Sequence, residues 1–155
     1  MLLTENLKKD ILKNFHSHDF DLAEKKAQFL VKKGISDPWL CNILAVIFAK
    51  QKNFTLALEY FKILADFYPD DPENFFNLGN LYRDSEDNDN AIKYYKLSLE
   101  KNSKSYETLM ELSKVFLKVK KIDKAIFYAE KAQKIKTNLN EPDSIIAQSL
   151  FLKGK

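Results

Sequence analysis

The feature that most constrains this chain is a match to itself at a spacing of 34 residues. Three segments, "DPWLCNILAVIFAKQKNFTLALEYFKILADFYPD" from Asp37, "DPENFFNLGNLYRDSEDNDNAIKYYKLSLEKNSK" from Asp71 and "SYETLMELSKVFLKVKKIDKAIFYAEKAQKIKTN" from Ser105, align without a gap. Leu44, Leu78 and Leu112 fall in one column, and the next column holds only the small residues Ala45, Gly79 and Ser113. The aromatics Phe48, Tyr82 and Phe116 follow, then Ala57, Ala91 and Ala125, then Phe61, Tyr95 and Ala129. A fixed period of this length describes stacked supersecondary units, none of which can bury its apolar face alone.

Within a unit the apolar residues recur at helical spacing, twice. Leu78, Gly79 and Tyr82 share one helix face, and Ala91, Tyr94, Tyr95 and Ser98 share another. Asp37 and Asp71 suit the N-cap position, with Pro38 and Pro72 following at the first helical position, where a missing N–H costs nothing; Ser105 takes the capping place in the next unit. Turns between paired helices are expected at "KQKN", "DSEDN" and "KVKKI". With three glycines and four prolines in 155 residues, long helices joined by short turns are favoured over a β-sandwich or a doubly wound sheet.

These columns resemble the tetratricopeptide repeat, a 34-residue helix–turn–helix unit. The likeness rests on Leu-small-x-x-aromatic in the first helix and Ala-x-x-x-aromatic in the second. Two departures stand out. The family's early tryptophan column here holds Cys41, Phe75 and Leu109, and the proline between repeats survives only at Pro69, with Ser103 and Thr137 at the later places. The resemblance implies an all-α, right-handed superhelical solenoid of antiparallel helix pairs spanning residues 1–155 as one domain. Full repeats are expected at 37–70, 71–104 and 105–138. A degenerate first repeat covers 3–36, with Asp10 and Asn14 where leucine and an aromatic belong. A further helix at 141–153 acts as a cap or as the start of a unit cut from a longer protein.

In this family the first helices line a concave groove that holds a partner. The positions carried over are Trp39, Asn42, Ile43, Val46 and Lys50 from one unit, Phe76, Asn77, Asn80 and Arg83 from the next, and Met110, Glu111 and Lys114 from the third. Aromatic anchors and amides in such a row suit an extended polypeptide. The carboxylate clamp by which some members hold heat-shock chaperone tails is rejected: its amide places hold Val46 and Asn77, and its basic places hold Glu107 and Glu111. A softer likeness links "NLGNLY" to the recognition arms of O-linked N-acetylglucosamine transferases, where asparagines ladder along the groove. Only Asn77 occupies the ladder place, between Ile43 and Glu111.

The residues that could signal other chemistry each have a simpler place in the repeat. His16 and His18 at "FHSHD" fall on different helix faces at an expected turn, with no second ligand cluster. "DSEDNDN" lacks the glycine and the glutamate of a calcium loop. Cys41 occupies an apolar column and, being the lone cysteine, forms no internal disulfide. The net charge of +3, nearly all from lysine with Arg83 the single arginine, argues against nucleic acid. The lysine-rich stretch from Lys114 onward reads as a solvated face, then as a site for an acidic protein, and third as a site for RNA, since arginine and glycine are absent there.

No metal, cofactor, membrane or catalytic role is expected, and the setting expected is cytoplasmic. The reading is a protein-interaction scaffold that holds a partner segment. The competing reading is the recognition arm of a larger enzyme such as a transferase, and self-association through the end helices is a third. Gly79 is expected to mark a close helix approach, with alanine tolerated there and leucine not.

Overall fold

The computed structural model describes residues 3–137 and 140–154, and these form helices with no strand among them. In chain order they are α1 (Glu5–His16), α2 (Phe20–Lys32), α3 (Pro38–Lys50), α4 (Phe54–Phe67), α5 (Pro72–Asp84), α6 (Asn88–Lys101), α7 (Tyr106–Lys118), α8 (Ile122–Gln133) and α9 (Glu141–Lys153). The chain divides into two compact units, Met1–Pro69 with α1 to α4 and Asp70–Lys155 with α5 to α9. Residue 138, the last expected of the unit opening at Ser105, lies outside the described residues.

The helix starts follow from local chemistry. The Asp37 carboxylate accepts the Trp39 amide at 2.8 Å and Asp71 accepts that of Glu73 at 3.0 Å, each with proline in the first turn. Ser105 accepts the amide of Thr108 at 3.3 Å. The turn inside each pair has a stricter design. His18, Lys52, Glu86 and Lys120 all have positive φ, at 61°, 61°, 65° and 58°. Successive members are 34 residues apart.

Each left-handed residue lets the following amide reach back to the helix just ended. Asp19 donates to the Asn14 carbonyl at 3.0 Å, Asn53 to Phe48 at 2.8 Å, Asp87 to Tyr82 at 2.9 Å and Lys121 to Phe116 at 2.9 Å. This closure satisfies carbonyls that the helix end would otherwise strand. The same residues open the next helix: Asp19, Asn53 and Asp87 accept the amides of Leu22, Leu56 and Asn90 at 3.2, 3.3 and 3.1 Å. Lys121 occupies the fourth such place and makes no side-chain cap. The backbone thus repeats with the period of the sequence. A non-glycine residue holds the left-handed position four times, at a cost of roughly 1–2 kcal/mol each.

The alanine column packs as its size requires: Ala23, Ala57, Ala91 and Ala125 are all fully buried. Aromatic pairs lock the two helices of each full repeat together. Phe48 stacks on Tyr60 with ring centroids 5.6 Å apart, Tyr82 on Tyr94 at 5.2 Å, and Phe116 on Tyr128 at 5.4 Å. Residues Asn14 and Lys26 occupy these two columns in the first pair. There the Lys26 ammonium donates to Asn14 Oδ1 at 2.7 Å and pairs with Asp10 at 2.7 Å. In the second unit α9 joins the core through Ile145, which clusters with Tyr106, Leu109, Met110, Ala129 and Ala132.

Gly79 corrects an expectation. A Cβ at this position would lie 2.5 Å from both Cδ1 and Cε1 of Tyr95. Tyr95 is fully buried and its hydroxyl donates to Asn80 Oδ1 at 2.8 Å, so the ring is held at both ends and cannot withdraw cheaply. The close approach is as expected, but it comes from a tyrosine ring, and alanine does not fit. In the same two columns the other units combine Ala45 with Phe61 and Ser113 with Ala129. The smallest residue thus stands in the unit that carries the tyrosine.

Candidate peptide-binding surface

In the unit containing α3, the side chains carried over from the family divide by exposure. Asn42 and Lys50 are exposed, Trp39 and Val46 are half-buried, and Ile43 retains 8% of its surface. Ile43 is therefore corrected from groove lining to core: α3 is apolar enough to bury seven of its residues, and Ile43 is one of them. The Trp39 ring lies 5.7 Å beneath the Lys8 ammonium, which joins α1 to α3 by a cation–π contact.

In the unit containing α5 and α7, Phe76, Asn77, Asn80, Arg83, Glu111 and Lys114 are half-buried. Met110 is 2% exposed and is corrected to core, because α9 packs over α7 and encloses it with Ile145. Phe76 leans on Tyr95 at 5.9 Å, and Asn80 spends its carbonyl oxygen on the Tyr95 hydroxyl. Asn80 thus braces the fold before it meets any ligand. Asn77 differs: its carboxamide has no hydrogen-bond partner among the described residues and sits beside Phe76 on the same helix.

The charges of this face are spent on one another. Arg83 of α5 pairs with Glu111 of α7 and with Asp84 at 2.8 Å; Lys114 then bridges Glu111 at 3.0 Å and Glu141 of α9 at 2.7 Å. Burial works against the Arg83 and Lys114 charges. The hydrogen bond to Asp84 together with the charges of Tyr95, Glu111 and Asp84 outweighs it at Arg83, and the hydrogen bonds and charges of Glu141 and Glu111 together outweigh it at Lys114, so both cations are held more firmly protonated than usual. Glu141, at the start of α9, is the member of this row that the sequence reading missed; its signal was its position 34 residues after Glu107.

Beside the row, Phe76, Glu73, Glu107 and Thr108 border a polar cleft of about 210 Å³. Burial, with Asp71 and Glu107 nearby, pushes the Glu73 carboxyl above its ordinary range. The described lining of this cleft carries no cation, so a carboxylate ligand would meet Glu73 and a Glu107 already paired with Lys136.

His18 forms the left-handed turn residue, edge-on to Phe20 at 5.7 Å, and His16 lies edge-on to Phe15 at 5.9 Å. Asp87 in "DSEDNDN" is an N-cap. Cys41 is buried, and burial pushes its thiol up, which makes it a poor nucleophile. Among the described residues no group of three or more His, Cys, Asp or Glu side chains is placed to hold a metal ion, and no helix is long and apolar enough to cross a membrane.

Profiles of the tetratricopeptide repeat match residues 72–104 and 106–139, and a second profile of the same repeat matches 17–72. The chain belongs to the tetratricopeptide repeat family. It is 32% identical over 124 residues to the anaphase-promoting complex subunit CDC16 of Saccharomyces cerevisiae, covering 76% of this chain and 15% of that protein. It is 36% identical over 61 residues to a UDP-N-acetylglucosamine–peptide N-acetylglucosaminyltransferase of Giardia intestinalis, covering 39% of this chain and 4% of the transferase. The chain thus spans a small fraction of the curated relatives it matches.

Among solved structures, MamA superposes with a TM-score of 0.82 at 20% identity, over 92% of this chain and 83% of that one. The APC/C hetero-tetramer Cut9–Hcn1 gives a TM-score of 0.77 at 20% identity, over 90% of this chain and 28% of that one. Family and fold together make this tetratricopeptide repeat chain a helical-repeat scaffold of the protein-binding class.

Proposed function

We propose that the first-helix face formed by α5 and α7 holds an extended segment of a partner protein, with Asn77 pairing with its backbone and Phe76 packing against a side chain. The observation that carries this reading is the half-buried, unpartnered Asn77 carboxamide in a row whose charges are already satisfied. The Asn77 amide is only half-buried and stays open to solvent, and a peptide backbone supplies both a donor and an acceptor for it. Asn42 and Trp39 on α3 offer similar chemistry in the other unit. The ligand is uncharged or basic where it passes Glu73 and Glu107, the opposite of a C-terminal carboxylate. The setting we infer is cytoplasmic, and no catalytic step is assigned to the chain.

The similarity to the transferase supports a second reading, in which the chain is the substrate-recognition arm of a longer enzyme. It is the weaker reading, since one asparagine rung at Asn77 stands where a ladder is needed.

Selection of a binding peptide from a random library, followed by calorimetric titration, tests the groove. Asn77→Ala is expected to weaken the selected peptide about tenfold, the loss of roughly 1.4 kcal/mol that one good hydrogen-bonded contact represents. Unchanged affinity in Asn77→Ala overturns the assignment.

A further inference from the structure

The second helices of the unit containing α5 to α9 carry a surface opposite in character to the self-neutralised row of Arg83, Glu111, Lys114 and Glu141. Residues 88–104 and 119–136, which contain α6 and α8, hold ten lysines against four carboxylates, a net +6 in a chain whose total is +3. Two of those lysines are spent on Asp70 and Glu107. Lys93, Lys96, Lys124, Lys131 and Lys134 have no carboxylate within ion-pair reach among the described residues.

Lys96 of α6 and Lys131 of α8 flank a cleft of about 360 Å³ whose apolar lining is Leu99, Leu109 and Tyr128, with Glu100 the one acid at its edge. Leu109 is buried and fixed in the core, and Tyr128 is clamped between its stack on Phe116 and an edge contact with Phe127 at 5.2 Å. Leu109 and Tyr128 are therefore held in place. Exposed Phe127 extends the apolar surface, and the Lys131 ammonium lies 4.5 Å over its ring.

We propose that this cleft between α6 and α8 is a second docking site, separate from the first-helix face, for an acidic polypeptide segment that inserts one large apolar side chain between Lys96 and Lys131. The occupant follows from complementarity. A cleft of this size admits a single leucine or aromatic side chain against Leu99, Leu109 and Tyr128, and unpaired lysines on both flanks attract carboxylates on either side of it. Lysine presents point charges, and α6 and α8 contain no arginine to make the planar bidentate contacts that phosphodiester or phosphate readers favour. A chain of aspartates and glutamates around one aromatic residue meets both requirements; a nucleic acid meets only the charge.

Fluorescence anisotropy with the full chain tests the site directly. The probe is a labelled acidic peptide with one central phenylalanine, compared with the same peptide carrying alanine there and with a labelled single-stranded oligonucleotide. The phenylalanine peptide is expected to bind saturably and to weaken as salt is raised. The alanine peptide is expected to bind about tenfold more weakly. The double substitution Lys96→Glu with Lys131→Glu is expected to weaken the phenylalanine peptide more than tenfold, while Asn77→Ala leaves it unchanged.

Should the charge reversals disturb the helical circular dichroism, Lys96→Gln with Lys131→Gln is read in their place, with a loss of about fivefold expected. The proposal is overturned by absence of saturable binding, by equal binding of the alanine peptide, by tighter binding of the oligonucleotide, or by affinity unmoved in both lysine double variants. Loss of this binding in Asn77→Ala also overturns it, since the peptide would then sit on the first-helix face.

Discussion

The first helix pair and the pair α5–α6 share a backbone and differ inside it. Both turn through a left-handed residue, His18 in one and Glu86 in the other, and both close the helix end with the same reach-back hydrogen bond. Yet where Tyr82 stacks on Tyr94, the first pair places Asn14 against Lys26. Two rings fill the interface between helices. The first pair instead joins an amide to an ammonium, and Lys26 and Asp10 help to line a cleft of about 270 Å³ with Leu7, Ile11, Phe29 and Leu30. The difference teaches that the period is carried by turn chemistry as much as by the apolar columns. A unit can lose its aromatic pair and keep its fold.

The largest expected effect tests that contrast. Phe116 is 1% exposed within the core of the unit containing α7 and α8, and Phe116→Ala is expected to cost about 3–5 kcal/mol in urea unfolding. Lys26→Ala, in the equivalent contact of the first pair, is expected to cost about 1 kcal/mol or less. The Lys26 and Asp10 side chains are 32% and 54% exposed, and solvent screens such a pair. Equal costs for the two variants would mean that the polar contact and the ring stack are equivalent, and the comparison would fail.

Gly79 comes next. Gly79→Leu is expected to destabilise by about 3 kcal/mol, and Gly79→Ala by about 1 kcal/mol as Tyr95 is forced from its place. The double substitution Gly79→Ala with Tyr95→Phe isolates the anchored hydroxyl: if the ring is free to shift once its bond to Asn80 is gone, the alanine penalty falls. A neutral Gly79→Ala in the wild-type background would remove the steric account.

What the sequence made legible, and what it hid, divides along the same physical line. Column sizes, caps at Asp37, Asp71 and Ser105, and the three inner turns were readable, because each depends on residues close together or on a strict period. The left-handed positions were hidden because His18, Lys52, Glu86 and Lys120 share no chemistry; only their common spacing betrays them. Site residues were less legible. Exposure depends on which helix arrives from elsewhere, so Met110 is covered by α9 in a way its own register does not announce. The demand that Tyr95 places on both Gly79 and Asn80 is likewise a three-dimensional fact.

Installing the missing stack sharpens the comparison from the other side. Asn14→Phe with Lys26→Tyr places aromatics in the columns of Phe48 and Tyr60, and is expected to stabilise the chain by about 1 kcal/mol, the worth of an aromatic pair beyond its buried area. A loss would show that the first pair departs from the others in helix spacing as well as in side chains.

The smallest effect concerns the turn between α7 and α8, the one turn inside a helix pair, among the described residues, whose side-chain cap is absent. Lys121 stands where Asp19, Asn53 and Asp87 hold the next helix's first amides, and it makes no such bond. Lys121→Asp is expected to add about 0.5–1 kcal/mol at neutral pH. That gain should depend on pH in a set direction. At the equivalent place the side-chain amide and then the backbone amide of Asn90 hold the Asp87 carboxyl below its ordinary range. A cap of this kind contributes fully above the unfolded carboxyl's pKa of about 4 and loses its contribution as pH falls through the lower folded value. Lys121→Asn supplies the same acceptor without a titrating group. Its gain should therefore persist in acid, and parallel loss of both gains would show that the stabilisation comes from removing a lysine and not from the cap.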